Sequence, residues 1–168
     1  QINDLRKGIY LHDTLENNTE MDFCIGVAGY PEKHIEAPSK TFDLEKLKEK
    51  VDNGADYVVT QMFFDNKQYF DFVGKARQMG INVPIIPGIK PISVKRHLNI
   101  IPQAFFLDFP EELVKEIEKC KNNNEVKQVG IEWAITQSKE LKQAGVPSLH
   151  YYSMGKSENI IQIISNVF

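Results

Sequence analysis

The sequence predicts an α/β fold: four parallel strands with flanking helices, arranged as half of a (β/α)8 TIM barrel. Three observations predict it. Short apolar runs alternate with helical patterns along the chain, the order that builds βαβ units and a parallel sheet. The first two apolar runs end abruptly in polar residues: 27–29 passes into Tyr30, Glu32 and His34, and 57–59 into Thr60, Gln61 and Asp65. In parallel α/β proteins such strand ends share one face, where ligands bind. The third observation is the count. Four strands fit in 168 residues, whereas a closed barrel needs eight strands and typically about 250 residues. A complete small open sheet is the competing architecture. A half-barrel has two open sheet edges, which predicts self-association or pairing with an N-terminal half that completes the barrel.

Each element has a local signal. Ile2, Leu5 and Ile9 recur at helical spacing and predict a helix over 1–11, followed by a polar loop from His12 to Met21. Residues 23–29 are a short apolar run bounded by turn chemistry. They predict a buried strand with Cys24 as a small core residue. A helix over 42–53 follows, with Asp43 as N-cap, Phe42 and Leu47 as a hydrophobic staple, and Gly54 at its end. Residues 55–61 read as strand, and 66–79 as a helix closed by Gly80. Residues 83–87 are the third strand and 93–101 the next helix. Helices over 110–122 and 125–144 follow, the second closed by Gly145. The last strand spans 148–153, and a helix capped by Ser157 spans 157–167.

Composition narrows the function. A net charge of −3 without a long basic block argues against nucleic-acid binding by phosphate neutralisation. No apolar run approaches the ~20 residues that span a bilayer, so no membrane partner is expected. No secretory leader is visible, and a start at Gln1 rather than Met reads as a trimmed or partial product. Cys24 and Cys120 have no short spacing, so neither a disulfide scaffold nor a zinc site is expected, and a reducing, cytoplasmic setting fits. There is no Ser-His-Asp signature, no H-E-x-x-H and no phosphate-binding G-x-G-x-x-G.

Several residues have the chemistry of a site and also a plain alternative. Tyr30 and His34 offer rings and hydrogen-bonding groups that suit a nucleotide cofactor; otherwise they are a half-buried strand-end tyrosine and an exposed histidine. Asp43, Lys46 and Lys50 fall on one helix face. A carboxylate there suits ribose hydroxyls, and a helix start with lysines suits pyrophosphate; otherwise they are a cap and a solvated face. Gln61 carries both donor and acceptor at a strand end, matching a pterin edge or a carboxamide; otherwise the neighbouring backbone satisfies it. The run Pro87-Gly88-Ile89-Lys90-Pro91 is turn chemistry with a shaping role. Phe105, Phe106, Phe109 and Pro110 read as core or barrel-mouth packing, and Trp133 as packing on a helix face.

Four segments in order carry a family resemblance: GVAGYPEKHIEAPS from Gly26, KEKVDNGADYVVTQMFFDNKQYFDF from Lys48, VPIIPGIKPIS from Val83, and LHYYSMGK from Leu149. Together they resemble the second half of the methylenetetrahydrofolate reductase family, from about Phe23 to the end. The resemblance implies a flavin-binding (β/α)8 barrel, with this chain as its C-terminal half. It implies that Tyr30 and His34 contact FAD, that Ala28 and Ala37 let their backbone lie near the flavin, and that Asp43 and Lys50 meet its ADP part. Lys46 is a weaker carry-over on the same helix face. Gln61 is implied to bind folate, and also NADH or NADPH at the same flavin face. His97 stands where the family often has glutamine near folate, and Ile101 where an apolar or aromatic residue packs on the substrate ring. For these two, a surface position and plain core packing are the alternatives. Met62 replaces a frequent aromatic residue. Lys156 stands where the family pattern has arginine, keeping the charge but losing the bidentate fork for folate carboxylates.

The implied activity is FAD-dependent reduction of 5,10-methylenetetrahydrofolate to 5-methyltetrahydrofolate by NAD(P)H, for methionine synthesis. The family's acidic general acid and its flavin-side Asp belong to the first half of the barrel. This chain is therefore expected to carry no catalytic residue and to be inactive alone. The alternative is a non-catalytic half-barrel that binds a nucleotide or a protein partner.

Overall fold

The computed structural model describes residues 23–155 and 157–168. The predicted helix and loop over 1–22, and Lys156, lie outside the described residues. Four strands and six helices follow in the order β1 (Gly26–Gly29), α1 (Lys40–Asp52), β2 (Tyr57–Met62), α2 (Asn66–Gln78), β3 (Ile85–Ile89), α3 (His97–Phe105), α4 (Glu111–Lys119), α5 (Asn123–Gln143), β4 (His150–Tyr151) and α6 (Glu158–Val167). All strand pairs are parallel, in the order β1-β2-β3-β4. The register sets Val27 beside Val58, Val58 beside Ile85, and Gly88 beside His150.

That order decides the architecture. Crossovers between parallel strands are right-handed, so an order that never reverses puts every crossover helix on one face. A doubly wound sheet reverses and covers both. Here Val58, Ile85 and Ile89 share one buried cluster with Leu44 and Leu47 of α1, Tyr69, Phe72 and Ala76 of α2, Ile131 and Leu141 of α5, and Ile163 of α6. Side chains alternate along a strand. In β2, buried Val58, Thr60 and Met62 alternate with half-buried Tyr57, Val59 and Gln61. The chain is thus the expected half-barrel, with helices outside and an inner face not covered by the described residues. A second cluster lies under α3 and α4: Met62, Phe64, Ile92, Ile101, Leu113 and Ile117.

Some local expectations move. Cys24 is exposed, not core, because the strand starts two residues later at an edge of the sheet, where Gly26 and Ala28 also stay exposed. The N-cap of α1 is Ser39, whose side chain accepts from Phe42 N. Asp43 lies inside the first turn, so neither the Asp43 cap nor the staple built on it forms. Ser157 makes no side-chain cap bond. Helix α3 begins at His97 rather than 93, because the preceding turn is closed by Ser93 N–H on His97 Nδ1 at 3.4 Å. Strand β3 runs two residues past its expected end. Pro87 has no N–H for the ladder; the β2–β3 register shifts between Val59 and Met62, and Gly88 N donates to Thr60 Oγ1 at 2.9 Å. Gly54, Gly80 and Gly145 take up left-handed positions after α1, α2 and α5, as expected.

Four hydrogen bonds tie the turn after β2 to α5. Gln137 Nε2 donates to Phe63 O at 3.2 Å and to Asn66 Oδ1 at 3.1 Å. Asn66 Nδ2 donates back to Gln137 O at 3.1 Å and to Glu140 Oε2 at 2.7 Å. Both residues are buried, so a lost partner leaves groups that water does not reach. Gln137→Leu keeps the volume and removes the donor. It is expected to cost about 2–3 kcal/mol in urea unfolding, with the slope unchanged.

Candidate functional site

The C-terminal strand ends carry two adjoining groups of residues. The first lies beyond β1. The His34 ring meets Tyr30 edge-on, centroids 4.7 Å apart. Asp43 Oδ2 accepts from His34 N at 2.8 Å, which ties this loop to the first turn of α1. Ala37, buried, donates its N–H to His34 O at 3.0 Å, and its carbonyl accepts Lys33 Nζ at 2.6 Å. Burial, then the nearby Asp43 charge, raises the Tyr30 pKa, so its hydroxyl stays a neutral donor at pH 7. Ala28 is exposed two residues before Tyr30.

Tyr30, His34, Ala37 and Asp43 therefore come together. The two lysines of α1 differ. Lys46 Nζ is engaged by Glu49 Oε1 at 2.6 Å on its own helix, while half-buried Lys50 has no ion pair among the described residues. Gln61 faces the same region from β2. Its Oε1 accepts from Met62 N at 2.9 Å, so the backbone satisfies part of the amide. Its Nε2 has no partner among the described residues. It shares a small cleft with Tyr30, Glu32, Met62 and Phe105.

The second group lines a cleft of about 410 Å³ between β3, β4 and α3. His97 and Ile101 both line it, with Lys90, Phe105, Tyr152 and Asn159. Phe105 borders both clefts, so the two groups adjoin at that side chain. The His97 pKa is lowered, first by burial and then by the charges of Lys90 and Arg96, so the ring is neutral at pH 7. Tyr152 spans the strand ends: its hydroxyl donates to Thr60 O at 2.9 Å, and its ring lies over Gly88, where a Cβ would come 2.7 Å from the ring.

Three residues here were not singled out as site residues in the sequence: Glu32, Lys90 and Tyr152. Glu32 stands inside the GYPEKH segment, yet nothing local says that its Oε2 takes Asp108 N at 2.9 Å, 76 positions away. Burial drives its pKa from 4.5 up to about 7, against the Asp108 backbone bond, which lowers it. A raised acid pKa means that the folded state holds a proton the unfolded chain has released. Stability from this group is full below pH 4.5 and falls as pH rises towards about 7. Glu32→Gln is expected to flatten the unfolding profile across that window, as read by thermal unfolding at half-unit pH steps.

The loop residues fit a nucleotide cofactor: a hydroxyl and an imidazole lie together beyond an exposed strand end whose Ala28 adds only a methyl, while Lys50 stands in the last turn of α1. The deciding comparison is with protein families, where the model described as methylenetetrahydrofolate reductase matches residues 4–167. The chain belongs to the methylenetetrahydrofolate reductase family.

Among curated members, the chain is 42% identical over 157 residues to methylenetetrahydrofolate reductase (NADH) 1 of Arabidopsis thaliana, covering 86% of this chain and 26% of the relative. It is 37% identical over 147 residues to a probable methylenetetrahydrofolate reductase (NADPH) of Caenorhabditis elegans, covering 86% and 22%. It is also 37% identical over 138 residues to the 5,10-methylenetetrahydrofolate reductase of Pectobacterium carotovorum, covering 82% and 46%. The chain thus spans about a quarter of the plant and nematode reductases and under half of the bacterial one. A solved structure, an uncharacterized Clostridium thermocellum protein described as binding two copies of 5-methyl-5,6,7,8-tetrahydrofolic acid, superposes with a TM-score of 0.56 at 19% identity. The match covers 87% of this chain and 53% of that one, and it establishes a shared fold.

Proposed function

We propose that this chain supplies part of the cofactor and folate site for FAD-dependent reduction of 5,10-methylenetetrahydrofolate to 5-methyltetrahydrofolate by NADH or NADPH. The observation that carries this is that Phe105 lines both the Tyr30–Gln61 cleft and the His97–Ile101 cleft, so the residues given to cofactor and to folate adjoin. The family supplies the reaction class, and its named members use either nicotinamide.

When bound, FAD supplies the hydride chemistry; the protein binds, orients and excludes water. Tyr30 and His34 present rings and donors to the cofactor. Asp43 holds their loop through His34 N, and Lys50 offers charge to a phosphate. Gln61 offers the pterin its Nε2 donors and the remaining Oε1 lone pair. His97 and Ile101 line the adjoining cleft where the tail of the substrate lies. The proton needed to open the bridging methylene comes from an acidic group on an N-terminal half-barrel. That half also pairs with the open sheet edges and covers the inner face, so this chain is inactive by itself.

The test is a visible absorption spectrum of the purified chain with FAD, with and without a separately expressed N-terminal half. Flavin bound only with both halves present, together with turnover, supports this reading. Flavin bound without turnover in the mixture favours a non-catalytic nucleotide-binding half-barrel. Absence of bound flavin in both samples removes the roles given to Tyr30, His34, Asp43 and Lys50.

A further inference from the structure

We infer that Glu32 is a positioning residue: from the loop after β1 it holds the turn that ends α3, and so sets the Phe105 side chain that both clefts share. This rests on the function proposed above and adds to it a link between the cofactor loop and the folate cleft.

Helix α3 ends in an unfavourable conformation. Its C-cap, Phe106, has a φ of 44°. In this left-handed region a Cβ crowds the following carbonyl, and glycine or asparagine is usual. The helix itself supplies one bond there, Phe106 N to Pro102 O at 3.2 Å. Two further contacts come from the loop after β1. Glu32 Oε2 accepts Asp108 N at 2.9 Å. Lys33 Nζ, which donates to Ala37 O at 2.6 Å, lies 4.3 Å from the centre of the Phe106 ring, a cation–π distance. One loop thus grips the strained residue and the main chain two positions beyond it. Packing of the buried Leu107 as sole anchor of the turn is the structural alternative.

The gripping loop also carries Tyr30 and His34, whereas Phe105, one residue before the turn, lines the cleft of His97 and Ile101. Relaxation of Phe106 to a right-handed conformation would redirect the end of α3 and carry Phe105 with it. Glu32 is half-buried. The carboxylates of Asp108 and Asp65 oppose its charge, and Lys40 favours it. Burial is the largest influence and keeps a proton on Glu32 up to about pH 7. The closed turn therefore holds a proton that an opened, solvated Glu32 releases. As pH rises through about 7, ionisation favours the opened turn.

The test uses the FAD-loaded protein that carries this chain, as wild type, Glu32→Gln, Glu32→Ala, and Glu32→Ala combined with Phe106→Asn. Absorbance gives the flavin content. Anaerobic calorimetry with the flavin reduced, so that no hydride passes, gives the Kd of 5-methyltetrahydrofolate. Below pH 7, Glu32→Ala is expected to weaken folate binding about fivefold at unchanged flavin content. Glu32→Gln keeps the acceptor and stays within about twofold of wild type. Adding Phe106→Asn restores most of the loss, because asparagine holds a left-handed turn without the clamp. Between about pH 6 and 8.5, wild-type affinity should fall about fivefold relative to Glu32→Gln. An unchanged Kd in Glu32→Ala, a loss that Phe106→Asn does not restore, or matching pH profiles for wild type and Glu32→Gln overturns the proposal while the folate reading stands. Parallel losses of flavin and folate confine Glu32 to the cofactor loop and also overturn it. Failure of wild type to bind 5-methyltetrahydrofolate overturns the folate reading and this proposal with it.

Discussion

Gly130→Ala is expected to destabilise the protein by about 3 kcal/mol, although alanine is the better helix former. Gly130 sits in α5 where the helix crosses the backbone of Ile92. A Cβ there would lie 2.0 Å from Ile92 O, 2.7 Å from its carbonyl carbon and 2.8 Å from its N. These are main-chain atoms in a segment that packs between two clusters, so no side-chain rotation relieves the clash. The helix must move off the sheet, and Val126 and Trp133 move with it. Gly74 is the internal control. It lies inside α2, is exposed, and has open space around its missing Cβ. Gly74→Ala should therefore stabilise by about 0.5–1 kcal/mol through helix propensity alone. Urea unfolding of the two variants should shift in opposite directions. Equal shifts would mean that α5 does not press on Ile92 as described.

In the reductase proposed to assemble from this chain and an N-terminal half, Gln61→Leu should lower kcat/KM for folate reduction by about a hundredfold or more while leaving bound flavin unchanged. The side chain stands at the end of β2, with Oε1 already accepting from Met62 N. What it gives a ligand is thus the Nε2 donor pair and one lone pair. Leucine removes all of these and also leaves Met62 N without its acceptor. Gln61→Glu separates the two effects, since it keeps the acceptor for Met62 N and loses the donors. If the role is substrate recognition, both variants lose turnover. If the role is only to satisfy Met62, Gln61→Glu behaves as wild type. Stopped-flow measurement of each half-reaction shows whether nicotinamide and folate depend on Gln61 alike.

The architecture was legible because the short apolar runs, the closing glycines and the sequential βα order all agree. The left-handed Gly54, Gly80 and Gly145 mark helix ends by local chemistry, which needs no tertiary knowledge. Caps were less legible. Ser39 and Asp43 are both good cap residues, and the choice fell to Ser39 because Asp43 was taken by His34 N, nine residues back. Cys24 was misread for a different reason: an apolar run predicts burial only where other elements pack on its side chains, and Cys24 precedes β1 at the margin of the sheet. In the site, Tyr30, His34 and Gln61 follow strand ends and could be found by position. Glu32 also follows a strand end, but its raised pKa and the burial of Lys90 arise only once α3 and the loop after it have folded over the strand ends.

The uninterrupted neighbour-to-neighbour strand order has a consequence for how the protein opens. Among the described residues, strand β1 is held by β2 alone and β4 by β3 alone, whereas β2 and β3 are held on both sides. Amide exchange should therefore run as a gradient, slowest in the middle of the sheet and fastest at its two margins. A partner that adds strands to both margins would level that gradient. The protection of β1 and β4 amides relative to β2 is thus a built-in gauge of barrel closure, readable without any cofactor or turnover.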